Sequence, residues 1–200
     1  MKQIQLVGPV DKRAVAYPLF KMCDIMGKTL VVTDDANFRR FSEDYSNEFT
    51  LGRSDFVITN DISQAVISDL GMKLNTYDYV IFINTNDLID NNDCLVYCHG
   101  LSNLVCGDET VDYLDALEHF DVIISTHKPA KSKKEDKSSE KNEIFLSVDA
   151  KSFGYVWDCE EAKMFVPCKN ADLTKLSNHL FGNLFGISAE DFGKTIVREV

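Results

Sequence analysis

The fold of this chain is decided by residues 2–35, KQIQLVGPVDKRAVAYPLFKMCDIMGKTLVVTDD. Residues 4–7 are mainly apolar and suit a short strand. From Asp11 onward, apolar residues recur at helical spacing as far as Gly27, a residue type common just past the end of a helix. Thr29–Thr33 is a continuous run of β-branched and apolar residues, which is typical of a strand buried on both faces of a parallel sheet. The pattern predicts strand, glycine turn, helix and strand, the start of a βαβ unit.

Strand and helix signals continue to alternate along the chain. Further strands are predicted at residues 56–59, 79–83 and 122–126, and helices at 36–44, 61–70 and 109–120. Periodicity does not decide between a strand at 94–98 and a helix at 93–105. The alternation predicts an α/β fold with about five parallel strands, doubly wound and flanked by helices. We expect one domain over residues 1–200.

The last third of the chain has a different pattern. Residues 144–148, 153–157 and 163–166 predict a C-terminal antiparallel β-meander, because they are short, apolar or alternating and joined by small turns. Two terminal helices are predicted, at 171–185 and from 188. Residues 128–143 lie between the alternating region and the predicted meander. They include six lysines, four acidic residues and no large apolar residue, and this composition predicts a charged mobile loop.

Composition restricts the partners and the compartment. The net charge of −11 disfavours nucleic acid as a partner, because phosphates would be repelled. No run reaches the roughly 18 apolar residues needed to cross a bilayer, so no integral membrane segment is expected. No secretory signal is visible, and six irregularly spaced cysteines do not suggest a disulfide framework. A cytoplasmic protein with reduced thiols is the expectation.

Three segments, in the right order, resemble the ParA/MinD-type branch of P-loop NTPases. GKTLVVTD (27–34) resembles the second strand of that family, YDYVIFI (77–83) its Walker B lead-in, and FDVIIST (120–126) the later strand that ends near the nucleotide base. The resemblance covers roughly residues 1–128. It implies a nucleotide-binding fold in which Asp34 is a catalytic aspartate or lies beside the magnesium ion. It also implies that the protein, as other family members do, dimerises or recruits partners through the face that binds the nucleotide.

The chain departs from this family at the phosphate and metal positions. A phosphate loop needs several glycines, a lysine and a Ser/Thr, whereas this first turn has Gly8 only, and Pro9 removes a backbone donor. Ala14-Val15 stand where the Lys-Thr pair is expected. Ile83 takes the place of the Walker B acid, followed by Asn84, and neither carries the charge that would hold a magnesium shell. Efficient ATP hydrolysis is therefore not expected.

Seven residues form the candidate binding site, which would lie at the carboxyl ends of the strands: Gly8, Lys12, Arg13, Asp34, Asp35, Asn84 and Asn86. Lys12 and Arg13 oppose the dipole at a helix start, so an anion could explain them, although two solvated charges are the simpler interpretation. Asp34 and Asp35 suit either a ligand or the N-cap of the helix from residue 36. No cofactor is expected, but weak nucleotide binding stays open.

Four soft ligands lie close together in sequence: Cys94, Cys98, His99 and Cys106. A zinc site is conceivable, but the spacing matches no standard zinc motif, and adjacent Cys and His side chains diverge on a strand. Buried free thiols are the preferred interpretation.

Three functions remain possible from the sequence. The first is a non-catalytic ParA/MinD-like domain that binds a protein partner or forms a homodimer within a larger cytoplasmic or membrane-associated machine. The second is a divergent nucleotide-binding ATPase or GTPase, which predicts that Lys12 points into the first turn. The third is a small-molecule or phosphate sensor of another doubly wound fold.

Overall fold

The structure of the protein, a computed structural model, describes residues 1–8, 12–60, 62, 74–84, 88–89, 92–99, 120–125, 143–145, 175, 178–179 and 182. The strands are, in chain order, β1 (Lys2–Val7), β2 (Thr29–Thr33), β3 (Glu48–Leu51), β4 (Ser54–Ile58), β5 (Tyr79–Ile83), β6 (Cys94–His99), β7 (Val122–Ser125) and β8 (Glu143–Phe145). The described helices are α1 (Arg13–Met26) and two short 3₁₀ helices, Ala36–Phe41 and Leu74–Thr76.

The described strands form one eight-stranded sheet in the order β3-β4-β2-β5-β1-β6-β7-β8. Neighbours within it run parallel, except β3 and β4, which are antiparallel. The α/β fold with a mainly parallel sheet is therefore confirmed. The carboxyl ends of the parallel strands meet at one edge of the sheet, the carboxyl edge, and their amino ends meet at the opposite amino edge.

Both faces of the sheet are covered, as a doubly wound fold requires. Successive strand residues point to opposite faces, so Ile4 and Leu6 of β1 face α1, whereas Gln5 faces away. Ile4 and Leu6 pack in one core cluster with Leu19 and Phe20 of α1. Every residue of β2 and of β5 is buried, which explains why these two strands read as continuous apolar runs in the sequence.

The face opposite α1 is covered by the segments that follow β4 and β5. Val80 and Phe82 of β5 share a second cluster with Ile62 and Tyr77, and Ile89 packs against it. The described residues of the connection from β1 to β2 thus pack on one face, and those of the connections after β4 and β5 pack on the other. Right-handed crossovers produce this arrangement.

A cluster of aromatic rings attaches β3 to the sheet. Phe56 of β4 is fully buried, and its ring lies edge-on to Phe20 with the centroids 5.1 Å apart. Phe49 of β3 stacks on Phe56 at 4.7 Å with an interplanar angle of 8°. Each such pair contributes about 0.5–1.5 kcal/mol beyond area burial, so the short edge strand is held by side-chain stacking as well as by its ladder.

Most sequence predictions agree with these elements. The bounds of β2 and β5 match, and those of β1, β4 and β7 differ by one or two residues. Residues 94–98 lie in a strand rather than a helix. The helix predicted at 36–44 is the shorter 3₁₀ helix Ala36–Phe41. α1 begins at Arg13 and includes Pro18 in its second turn.

The structure differs from the prediction at two strands. β3 is not predicted, because EFTL is short and becomes a strand only through its antiparallel pairing with β4, supported by the stacking of Phe49 on Phe56. Residues 144–148 are predicted to open an antiparallel meander, but β8 pairs parallel with β7, Ile144 opposite Ile124. Matching apolar residues at that register extend the parallel sheet instead.

Several predicted segments fall on other parts of the chain. The segments 153–157 and 163–166 and the helix from residue 188 lie outside the described residues, as do the helices 61–70 and 109–120 apart from Ile62 and Phe120. The charged loop 128–143 also lies outside them, except Glu143, which opens β8. Within 171–185 the described residues are helical, as predicted. None of the described helices is both long and apolar enough to cross a bilayer.

Asp78 ties three strands together at the amino edge. Its backbone N–H donates to the Lys28 carbonyl over 2.8 Å, and its own carbonyl accepts from the Lys2 N–H over 2.7 Å. Its carboxylate accepts from the Lys28 N–H over 2.9 Å. A Cβ at Gly27 would lie 2.5 Å from the Asp78 Oδ2 atom, so the glycine that ends α1 also makes room for this carboxylate.

Asp55 of β4 is the most heavily hydrogen-bonded carboxylate at the same edge. Its Oδ1 accepts from the Thr50 hydroxyl over 2.8 Å and its Oδ2 from the Tyr77 hydroxyl over 2.8 Å, and the Lys28 ammonium lies 3.2 Å from Oδ2. Partial burial alone would raise the pKa of Asp55, but these donors favour the carboxylate and hold the pKa below its ordinary value. Burial and the hydrogen bond to the charged Asp55 raise the pKa of Tyr77 to about 12.

We predict that Tyr77→Phe lowers the free energy of unfolding by about 1 kcal/mol at neutral pH, because a hydrogen bond to a charged group is lost. A carboxylate with a lowered folded pKa stabilises the fold above its unfolded pKa and loses that contribution as the pH falls through the folded value. The difference between the wild type and the variant should therefore shrink below about pH 4. Urea unfolding at pH 7 and at acid pH measures it. Tyr45→Phe, at an exposed tyrosine, is the control, and a difference that stays constant with pH would contradict the prediction.

Candidate functional site

The candidate site is a crevice at the carboxyl edge between β1 and β6. β1 leads through α1 to β2 on one side of the sheet, whereas its neighbour β6 leads to β7 on the other side. Connections that leave adjacent parallel strands in opposite directions open a crevice at their carboxyl ends, and open α/β sheets bind ligands there. The residues at this point are Gly8 and Lys12 after β1, and Cys98 and His99 at the end of β6.

Gly8 is required by the approach of β1 to β6. Its φ of 124° is a conformation that L side chains rarely adopt. A Cβ at this position would overlap the Cys98 carbonyl group. Two independent constraints, the backbone angle and the space, therefore select glycine, and neither involves a ligand.

Lys12 bends back into the first turn. The residue occupies the N-cap position of α1, where its side chain makes no capping hydrogen bond. Instead its Nζ donates to the Gly8 carbonyl over 2.7 Å, and only 5% of the residue is exposed. An ammonium this deeply buried must be held by acceptors, and the end of β1 provides one of them. The divergent-NTPase alternative predicts that Lys12 points into the first turn, and the structure shows this direction.

The cysteines of β6 are buried free thiols. Burial raises the pKa of Cys98 to about 12, although the nearby Lys12 ammonium acts in the opposite direction. Burial also raises the pKa of Cys94, and Asp121 and Asp93 add to the effect. Such thiols stay protonated at neutral pH and are poor nucleophiles and poor metal ligands.

The zinc alternative is not supported by the described part of the chain, which contains no group of three His, Cys, Asp or Glu residues placed to hold a metal ion. Cys106 and the side chain of His99 lie outside the described residues.

Asp35 caps the 3₁₀ helix that follows β2. Its Oδ1 accepts from the Asn37 N–H over 2.9 Å and from the Asn37 side-chain amide over 2.8 Å. Of the two interpretations open from the sequence, the helix cap is the one that the structure realises for Asp35. Asp34 is exposed at the same edge, two strands away from Gly8 in the order of the sheet.

The described residues at the end of β5, Ile83 and Asn84, carry no carboxylate. Ile83, at the position of the Walker B acid, is fully buried in the core cluster beneath α1. Asn84 follows on the opposite face, almost fully buried, and its Oδ1 accepts from the Gln5 side chain over 2.8 Å. The structure therefore places Asn84 in a contact within the protein rather than at the open edge.

The predicted site residues fall into four groups. Gly8 and Lys12 lie together after β1, Asp34 and Asp35 lie at the end of β2, and Asn84 lies after β5 in contact with Gln5. The side chain of Arg13 and all of Asn86 lie outside the described residues. Sequence analysis did not single out Gln5, although a polar residue between Ile4 and Leu6 of a buried strand is a signal that could have identified it.

Comparison with known proteins agrees with the fold. No protein-family profile matches the chain, and no curated protein matches it. A crystal structure from Borrelia burgdorferi B31, of a protein described as a plasmid partition protein and bound to AMPPNP, is similar, with a TM-score of 0.54 and 12% sequence identity. The match covers 94% of this chain and 100% of that chain. At this identity the likeness shows a fold like that of ParA-type proteins, and it shows the fold alone.

We predict that Gly8→Ala destabilises the protein far more than Gly52→Ala. Gly52 also has a positive φ, 65°, but its nearest obstacle is the side chain of Asp24, which can move, whereas Gly8 faces backbone. Gly52→Ala should lower the free energy of unfolding by about 1–2 kcal/mol, and Gly8→Ala by at least about 3 kcal/mol. Urea unfolding compares the two variants. Equal losses would mean that β1 can move away from β6 without penalty.

Proposed function

We propose that the protein is a non-catalytic ParA/MinD-like domain that works as a protein-binding or assembly component of a larger cytoplasmic or membrane-associated machine. The observation that carries the proposal is the end of β5, where Ile83 lies in the apolar core and the Asn84 amide is bound to Gln5. Magnesium in nucleotide sites is held by carboxylates together with substrate phosphates. At this position the chain offers neither a carboxylate nor a side chain directed to the edge.

The first turn supports the same proposal. The Lys12 ammonium already donates to the Gly8 carbonyl. An anion that used Lys12 would have to compete with this hydrogen bond, at a residue that is only 5% exposed.

An exposed tyrosine at the carboxyl edge supports a role in protein contacts. Tyr45 is 58% exposed and has a φ of 57°, a left-handed conformation that is unfavourable for a residue with a side chain. The turn around it is held by Asp44, whose carboxylate accepts from the Ser42 hydroxyl and the Ser46 N–H. The loop adjoins β4, because the Asn47 carbonyl accepts from the Ile58 N–H over 2.8 Å. Tyrosines presented in this way are frequent anchors of protein interfaces.

Nucleotide binding without efficient hydrolysis is the second candidate function. The direction of Lys12 favours it, because its ammonium donates to the Gly8 carbonyl, a neutral acceptor that a phosphate could replace at the point where doubly wound sheets bind ligands. Under this alternative the cofactor would be a weakly bound nucleotide.

One experiment separates the two candidates. We predict that phosphate release from Mg·ATP by the full chain does not exceed that by Lys12→Met, a variant of similar shape without the charge. Thermal unfolding is recorded in parallel with ATP, ADP or GTP, with and without Mg²⁺. A nucleotide at 100 times its Kd would add about 2.7 kcal/mol, a shift of a few degrees.

The outcomes have distinct meanings. Hydrolysis that is lost in both Lys12→Met and Asp34→Ala would overturn the non-catalytic proposal. A thermal shift without hydrolysis, lost in Lys12→Met, would establish the second candidate. No shift and no hydrolysis agree with the first.

We predict that Tyr45→Ala weakens self-association or partner binding, while Tyr45→Phe, which keeps the ring, does not. Sedimentation velocity at increasing protein concentration tests self-association. A photo-cross-linking amino acid at position 45, followed by mass spectrometry, distinguishes a second copy of this chain from another protein. Association that is the same in Tyr45→Ala and the wild type would remove this surface from the proposal.

A further inference from the structure

A chain of buried amide side chains crosses the sheet on the face opposite α1. At its centre is Gln5 of β1, which is fully buried. Its Nε2 donates to the Asn84 Oδ1 over 2.8 Å. Its Oε1 accepts from the Ile89 backbone N–H over 3.0 Å and from the Asn92 Nδ2 over 2.8 Å. The same Asn92 Nδ2 also donates to the Ile89 carbonyl.

The backbone fixes the orientation of every amide in this chain. The Ile89 N–H can only donate, so the atom of Gln5 that faces it must be the oxygen. The Gln5 nitrogen then faces Asn84, which must present its oxygen. Asn92 faces two acceptors, the Gln5 oxygen and the Ile89 carbonyl, so it must present its nitrogen. Turning Asn92 over would set oxygen against oxygen twice.

This orientation leaves one oxygen without a donor. The Asn92 Oδ1 is buried and receives no hydrogen bond within the described part of the chain, and the same holds for the Oε1 of Gln3. Gln3 is only 7% exposed. A buried acceptor without a donor destabilises the fold, and a group that donates a hydrogen bond to each oxygen would remove this cost.

The two oxygens belong to neighbouring segments. The Asp93 N–H donates to the Gln3 carbonyl over 2.9 Å, and the Gln3 N–H donates to the Asp93 Oδ2 over 2.8 Å. Asn92 therefore lies directly beside the start of β1. Its side chain reaches Gln5, which is on the same face of the strand as Gln3 because the two are two residues apart.

We propose that the Asn92 Oδ1 and the Gln3 Oε1 bind one buried water molecule, which donates a hydrogen bond to each. The site selects a small group with two donors, because both protein atoms are neutral acceptors. Anions and carbonyl groups are excluded by their lack of donors. A small cation would lose far more hydration than two neutral oxygens could replace. Buried waters in proteins typically make about three hydrogen bonds to polar groups of this kind.

This water would extend the amide chain from Asn84, at the end of β5, to Gln3, near the start of β1. The polar chain then runs under the central strand from the carboxyl edge almost to the amino edge. The site is independent of nucleotide or partner binding.

The test is NMR of the full chain labelled with ¹⁵N. Paired NOESY and ROESY spectra distinguish a long-lived buried water, whose NOE has the sign of a slowly tumbling complex, from rapidly exchanging surface water. We expect such a water signal at the Asn92 side-chain amide. The Asn37 side-chain amide, which binds Asp35 at the surface, is the matched control and should show surface water only. Absence of a long-lived water signal at Asn92, or a protein donor bound to either oxygen, would overturn the proposal.

A variant of similar shape gives a second readout. Gln3→Met removes one acceptor and keeps the length of the side chain. If water joins the two oxygens, the water signal at Asn92 should weaken or vanish, and the midpoint of urea unfolding should fall. If no water is bound and the Gln3 Oε1 has no donor, replacing it removes the cost of burying an unsatisfied acceptor. An unchanged or raised midpoint therefore contradicts the bound water.

Discussion

The close approach of β1 to β6 at Gly8 is the constraint on which the carboxyl edge depends. A residue without a side chain lets the Cys98 carbonyl lie against the end of β1, and the positive φ turns the chain toward α1. That turn places the Gly8 carbonyl within reach of the Lys12 ammonium. One contact between the backbones of β1 and β6 thereby positions the start of α1, the Lys12 ammonium and the end of β1.

The candidate site lies where folds of this kind bind ligands, but its described polar side chains contact other groups of the protein. The topology opens a crevice where doubly wound sheets bind ligands, and the similar Borrelia protein is bound to AMPPNP. Among the described residues of the carboxyl edge, three polar side chains have partners inside the protein. Lys12 donates to Gly8, Asn84 accepts from Gln5, and Asp35 caps a helix. A ligand at this edge would have to compete with these contacts.

Sequence patterns predict the buried centre of the fold well and its periphery less well. β2 and β5 are evident because burial on both faces forces unbroken apolar runs. β3 is not, because its four residues become a strand only through pairing with β4 and the stacking of Phe49 on Phe56. The place of the candidate site follows from the βαβ pattern. The direction of Lys12 and the engagement of Asn84 do not, because they depend on contacts with Gly8 and Gln5 that periodicity does not encode.

The order of the strands also determines when the sheet can form as the chain is synthesised. β5 lies between β1 and β2 and pairs with both, so the first two strands never pair with each other. β2 can pair with β4 once residue 58 has left the ribosome, but β1 has no partner until β5 emerges. Contacts this distant in sequence form slowly, and unpaired apolar strands are prone to aggregate in the interval. The first strand to be made is thus secured only after β2, β3 and β4, and the packing of α1 against its own apolar residues is its earliest protection.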